Sequence, residues 1–218
     1  MWLIARLYIN AFIMNWIKYP VTLKGQIVTL FSMTKKHFEP LAQLAADKRI
    51  WEFYAYDASS REKFRKIFDA ALAARKKGIQ FPFVIYHNRE RKIIGSTRFL
   101  DIQPEHRKLE IGATWLHPDY WATDVNPECK LLLLTCCFET LRAVRVQLKT
   151  DENNLRSRKA IEKIGGQFEG ILRHDMLREN GSKRNSAYYS ITDEEWRAKK
   201  ISLLALYNEK RSSMAKKS

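Results

Sequence analysis

The sequence predicts a single mixed α/β domain built around one central sheet. Three observations lead there. Runs rich in β-branched and aromatic residues alternate with amphipathic helical runs along the chain. No internal repeat and no Pro/Ser-rich linker divides it. Its 218 residues, 45% of them apolar, suffice for one sizeable core and would be cramped as two.

The elements follow in order. Gln26–Met33 (QIVTLFSM) reads as a strand. Thr34 opens a helical pattern to about Ala46, with Phe38, Leu41, Leu44 and Ala45 on one face. The aromatic run Trp51–Asp57 reads as a loop or short turn. Ser60–Lys77 is a second helix, striped by Phe64, Ile67, Phe68, Ala71 and Leu72 and stopped by Gly78. Phe81–His87, Lys92–Ile102 and Lys108–His117 are strands. Gly95 and Gly112 inside them signal bulges or close backbone approach. A helix from about Pro127 to Leu141 and a strand Arg145–Thr150 come next. A short helix Ser157–Gly166 follows, then QFEGILR and HDMLR, a strand leading to the hairpin turn Asn180-Gly181. Arg184–Ile191 returns as a strand. Thr192 with Glu195 forms a capping box for a last helix to about Tyr207, beyond which the basic tail is expected to fray.

Lys and Arg total 39 against 24 acids, a formal charge of +15. Such an excess favours anionic partners: a phosphorylated cofactor, RNA or an anionic membrane surface. A nucleic-acid reading would rest on Arg61, Lys63, Arg65, Lys66, Arg75, Lys76, Lys77, Lys216 and Lys217, and no recognised nucleic-acid motif accompanies them. Cys129, Cys136 and Cys137 are odd in number and fall in one helix, which suits a reduced, cytoplasmic setting rather than a disulfide framework. No histidine has metal-ligand spacing with a cysteine, so no metal site is expected.

The first nineteen residues are apolar but broken by Arg6, Asn10, Asn15 and Lys18, too interrupted for a membrane span and without a signal-peptide cleavage site. Two readings stand: an interfacial amphipathic helix, or sequence upstream of a true start at Met14, the second preferred. The expected organisation is therefore an extension over 1–19, a domain over 20–197, and a basic helix end and tail over 198–218.

The informative region runs from Glu110 to Gly170. A strand carrying Glu110 ends at the aromatic run Trp115–Trp121, and a loop, ATDVN, enters a helix. Such a junction presents backbone N–H groups and the positive helix end, suited to phosphate. The next strand leads into DENNLRSRKAIEKIGG, where Asn154 or Ser157 can cap a helix.

Together the strings IIGSTRFLDI, LEIGATWLHPDYW, ECKLLLLTCCFETL, RVQLKTDENNLRSRKAIEKIGGQFEGILR and GSKRNSAYYSI resemble the GNAT N-acetyltransferases, in the branch related to ribosomal-protein alanine N-acetyltransferases. The resemblance spans roughly residues 24–197, and its order and spacing are more specific than any one string. It implies a mostly antiparallel mixed sheet, splayed at a cofactor cleft and flanked by helices. It implies acetyl-CoA as acyl donor and an amine, on a protein N-terminus or a small molecule, as acceptor. Glu110 would be the base, a backbone N–H near Trp115 the oxyanion donor, and Asn154 and Ser157 would lie by the sulfur and pantetheine arm. Trp115, Leu116, Ala122, Thr123, Asp124, Val125, Asn126 and Asn154 would hold the cofactor. The branch usually carries Trp-Gly-x-Gly at the phosphate loop, where this chain has Trp121, Ala122, Thr123 and Asp124, followed by Val125, Asn126 and Pro127. Losing both glycines, adding a carboxylate and removing one N–H weakens the expected grip on a diphosphate. Two outcomes stay open: a transferase with weakened cofactor binding, or a GNAT-fold protein without catalysis.

Overall fold

The computed structural model describes residues 16–215, with side chains to residue 205. The reading of residues 1–13 as upstream sequence lies outside the described residues. Trp16 donates its indole N–H to the Leu141 carbonyl at 2.9 Å, and Trp16 and Ile17 pack on the core, so the folded chain includes them.

Eight strands form one sheet: β1 (Thr22–Lys24), β2 (Val28–Ser32), β3 (Phe81–His87), β4 (Lys92–Gln103), β5 (Lys108–Leu116), β6 (Arg145–Asp151), β7 (Gln167–Leu177) and β8 (Lys183–Thr192). Their spatial order is β1-β2-β3-β4-β5-β6-β8-β7, and every neighbouring pair is antiparallel except β5 with β6. This is the mixed, mostly antiparallel sheet expected. The short β1 was not foreseen, being three residues paired to β2.

Among the described residues five helices flank the sheet: α1 (Phe38–Ala45), α2 (Arg61–Lys76), α3 (Val125–Thr135), α4 (Leu155–Lys163) and α5 (Asp193–Ala215). One face of the sheet carries Leu109, Ile111, Val146 and Leu148 against Cys129, Leu133 and Leu134 of α3. On the other, Phe38 and Leu41 of α1 and Phe64 and Phe68 of α2 pack with Met33, Val84 and Trp115. The apolar stripes read from α1 and α2 face this second core, as their helical period requires. Ser60 caps α2 by accepting the Lys63 amide at 3.2 Å.

Several boundaries moved. Helix α3 starts at Val125, so Pro127 is its third residue; the first four helical N–H groups lack intrahelical partners, and proline fits there without loss. A wider, π-type segment over Cys136–Thr140 continues it. The cap of α4 is Asn154, whose Oδ1 accepts the Ser157 amide at 3.0 Å, and the helix therefore begins at Leu155. QFEGILR and HDMLR form one strand, β7, as expected, with irregularities absorbed by register shifts against β8 and by a left-handed His174. Helix α5 extends to Ala215, into the segment expected to fray.

Glu128 ties α3 to the start of β2. Its carboxylate accepts the amides of Gln26, Ile27 and Val28 at 2.9, 2.8 and 2.7 Å. A Cβ on Gly25 would stand 2.6 Å from that carboxylate carbon, so a glycine is required at the turn. All three cysteines are buried free thiols. Burial pushes the Cys129 thiol up to about 12 and Cys136 to about 11, which makes them core residues rather than nucleophiles.

Candidate active site

The site begins where the parallel pair parts. β5 and β6 are hydrogen-bonded only through Lys108–Arg145, Leu109–Val146 and Glu110–Gln147. Beyond that point β5 runs to Leu116 and β6 to Asp151 without pairing each other. A bulge sharpens the departure: Ser96 pairs with Trp115 and Arg98 with Gly112, leaving Ala113 and Thr114 opposite Thr97, with Ala113 at φ 45°. Gly95 permits the close approach there, since a Cβ would lie 2.2 Å from the Trp115 carbonyl oxygen. Both glycine signals in the sequence thus mark the geometry that opens the sheet.

A cleft of about 410 Å³ fills the opening. Thr114, Trp115 and Leu116 line it from β5, Tyr120 to Asp124 with Asn126 and Pro127 from the loop and α3, and Asn154 and Ser157 from α4. Of the residues expected at the cofactor, Trp115, Leu116, Ala122, Thr123, Asp124, Asn126 and Asn154 therefore meet in one place, with Ser157 beside them. Val125 does not join them. Its side chain is 2% exposed and packs in the core, and its amide donates to the Thr123 hydroxyl at 3.3 Å. As the first residue of α3 it turns inward, where helical geometry directs it.

Ala122 holds φ 58°, the left-handed conformation that glycine takes without strain. The loop thus keeps its glycine-type backbone despite the methyl. Asp124 is buried at the entrance to α3. Two cations line the same cleft. Arg156, stacked 3.7 Å over the Trp121 ring, and Lys163 both line the opening from α4. They are residues the sequence reading missed. Their i, i+7 spacing, with Ala160 between them, places all three on one helical face, a signal that was available.

Glu110 stands at the fork and not in the lining of the cleft. By strand alternation it points to the face opposite Leu109 and Ile111, the face of α1 and α2. It is 5% exposed and accepts a hydrogen bond from the Gln147 amide at 2.9 Å. Burial raises its carboxyl above the usual range, and the nearby Lys149 ammonium pulls it back in part. The missing side chain of Gly112 makes its space, because a Cβ there would lie 2.6 Å from Glu110 Oε1.

The aromatic run of 51–57 divides. Trp51 is core, while Phe53 and Tyr54 line the cleft. Tyr54 donates its hydroxyl to the Thr114 carbonyl at 3.1 Å, and the Trp121 indole donates to the Leu116 carbonyl at 3.0 Å. Lys130 of α3 reaches through to Thr114, donating to its hydroxyl at 2.9 Å. The basic run on α2 is largely engaged with the protein itself. Arg61 pairs with Glu39, Lys63 with Glu179 and Lys66 with Glu62; Arg65 lies over the Phe38 ring, and Arg75 donates to the Met33 carbonyl. Among the described residues no group of His, Cys, Asp and Glu is placed to hold a metal, and no helix is long and apolar enough to cross a membrane.

Residues 28–167 match the Acetyltransferase (GNAT) domain family. The chain is 27% identical over 180 residues to the Bacillus subtilis (strain 168) protein named "Putative ribosomal N-acetyltransferase YdaF", a match covering 79% of this chain and 95% of that one. In fold it is similar to a GCN5-related N-acetyltransferase from Brucella melitensis, with TM-score 0.79 at 24% identity, covering 87% of this chain and 86% of that one. It is likewise similar to Mycobacterium smegmatis RimJ, solved in complex with CoA-disulfide, with TM-score 0.73 at 19% identity over 86% of this chain and 95% of that one. The splayed sheet, the loop at the start of α3 and these likenesses agree: the chain belongs to the GNAT acetyltransferase family.

Proposed function

We propose that this protein transfers an acetyl group from acetyl-CoA to an amine, on a protein N-terminus or a small molecule, by direct attack. The observation that carries the reading is the unpaired stretch of β5 and β6 beyond Glu110 and Gln147, opening on the N-termini of α3 and α4. The lining suits the donor. Its volume is within the usual range for small-molecule sites. Trp115, Leu116, Ala160 and Ile164 offer apolar surface for an extended arm, while the loop, Arg156 and Lys163 offer amides and cations for phosphates. When bound there, acetyl-CoA supplies an activated acyl group.

The chain's own groups would do the rest. The amides of Ala122, Thr123 and Asn126 can bind phosphate oxygens, supported by the helix end. Leu116 would donate to the carbonyl oxygen as charge develops on it. The Trp115 carbonyl faces β4, and alternation turns the Leu116 N–H and C=O the other way, toward the cleft. That refines the expected donor by one residue. Glu110, directly or through a water, would take the proton of the attacking ammonium, which must be neutral to react. Asn154 and Ser157, at the start of α4, would orient the arm near the sulfur.

The reading is tested by titrating acetyl-CoA into the protein by calorimetry and following CoA release over peptide and amine acceptors. Saturable binding with acceptor-dependent release is expected. No binding at millimolar acetyl-CoA would overturn it and leave a GNAT fold without catalysis.

A further inference from the structure

On the Glu110 face of the sheet, arginines outnumber their carboxylate partners. Arg98 extends from β4 and Arg184 from β8, strands on opposite sides of the opening. Both come within electrostatic reach of the same two tyrosines, Tyr54 and Tyr56. Tyr54 is itself a wall of the cleft, so both cations lie behind one of its lining residues. Arg98 donates one hydrogen bond, to the neutral Gln80 at 3.3 Å, and its Nε–H has no partner. Arg184 is 8% exposed, and its Nε–H likewise has no hydrogen-bond partner, the nearest carboxylate oxygen being Asp151 Oδ2 at 3.5 Å. Asp151 is already committed, accepting Arg178 at 2.5 Å and the Asn153 amide at 3.0 Å. The other acids of this face are matched elsewhere: Asp175 with Lys149, Glu179 with Lys63, and Glu110 with Gln147.

Arg178 and Arg184 therefore share the one carboxylate of Asp151, and Arg98 has only the neutral Gln80 as hydrogen-bond partner. A buried guanidinium without a counter-charge or a full set of acceptors is expensive, and such an imbalance persists where a ligand restores it. Arg98 stands opposite Gly112 and Leu100 opposite Glu110, so Arg98 and Glu110 are diagonal neighbours, about 7–8 Å apart at their backbones. Strand register thus sets the base and both cations on the same face of the sheet. The hairpin between β7 and β8 closes over it, with the Glu179 amide donating to the Ala55 carbonyl at 3.0 Å.

We infer that the acceptor is an amine bearing an anionic group, a carboxylate or phosphate, close to its nitrogen, with Arg98 and Arg184 binding the anion while Glu110 receives the ammonium. The inference deepens the transferase reading and rests on it for the amine. The arginines are specificity-determining residues and take no part in proton transfer.

The experiment uses matched pairs on the full chain: glycine against glycinamide, phosphoethanolamine against ethanolamine, and a peptide amide with an N-terminal Glu against its Gln counterpart. Binding is read from the fluorescence of Trp51 and Trp115; the Trp51 ring lies 5.2 Å from Tyr54 and 5.9 Å from Trp115. Transfer is read from CoA release. At least one anionic member should bind tenfold or more tightly than its neutral partner, and the pair that responds separates a small acceptor from an acidic peptide. Arg98→Gln and Arg184→Gln should each reduce that preference tenfold or more while moving the neutral partner and acetyl-CoA affinity less than threefold. Because the wild-type preference needs no variant, a misfolded variant does not blunt the test. Equal binding within every pair would overturn the inference, even if acetyl transfer is found. Preferential anion binding without acetyl-CoA binding would uphold the anion site and defeat the transferase reading.

Discussion

Replacing Lys130 by methionine should abolish a pH dependence of stability that the wild type carries. The Lys130 ammonium is 7% exposed, and its hydrogen bond goes to the Thr114 hydroxyl, which also meets the Thr97 hydroxyl at 2.7 Å. Burial pushes its pKa down from 10.5 to about 8, with partial opposition from the Cys129 and Glu110 side chains. Between those two values the unfolded chain holds a proton that the folded chain has released. Stability therefore rises with pH across that window. Two and a half units at about 1.4 kcal/mol each give a total of about 3 kcal/mol. Most of it, roughly 2 to 3 kcal/mol, falls between pH 7 and 10. Urea unfolding of both proteins at pH 7, 8, 9 and 10 isolates this term, because every other titrating group cancels in the difference. The Met variant should be the more stable at pH 7, since it buries no charge, and the gap should narrow steadily toward pH 10. Parallel stability curves would refute the reasoning and mean that Lys130 keeps its proton, or its solvent, in the fold.

Three further outcomes follow from the site. Asp124→Asn removes one negative charge beside the proposed phosphate site; at about 6 Å that is worth roughly 0.7 to 3 kcal/mol depending on screening. Acetyl-CoA should then bind about 3- to 100-fold more tightly by calorimetry, and an unchanged Kd rejects charge repulsion at the loop. Glu110→Gln should lower kcat/KM by about 10² or more while leaving acetyl-CoA affinity intact. Because burial raises the Glu110 carboxyl, the wild-type rate should climb as pH passes that elevated value, and the Gln variant should lose this limb; a retained limb assigns the base elsewhere. Glu128→Ala strips the three amides of Gln26, Ile27 and Val28 of their acceptor and should cost about 3 to 5 kcal/mol in urea unfolding. A loss below about 1 kcal/mol would mean water replaces the carboxylate.

Much of the site was legible because its parts lie close together along the chain. Trp115 to Asn126 is one continuous strand-loop-helix passage, and Asn154 and Ser157 sit at one helix start, so a local reading found both walls of the cleft. That the Val125 side chain turns into the core was not legible, because a loop string says nothing about which residue takes the first inward turn of the helix. Arg156 and Lys163 were overlooked although their helical spacing was visible, since a basic residue on a short helix reads equally well as a solvated face. The basic run on α2 lies on an exposed face, and its partners could not be read locally: Glu39 and Glu179, which pair with Arg61 and Lys63, are far from them in sequence.

What the sequence determined by itself is the order of the elements apart from the short β1, because hydrophobic period, glycine stops and caps act over a few residues. It also marked Gly95 and Gly112 as places of a bulge or close backbone approach. The tertiary structure alone decided that β5 and β6 pair for three residues and then separate, and that Glu110 looks to one side of the sheet while the cleft runs between its halves. It alone brought Arg98, Arg184 and Tyr54 to one point. Those relations are set by sheet order and by side chains meeting across long sequence separations, and local propensity carries no term for either.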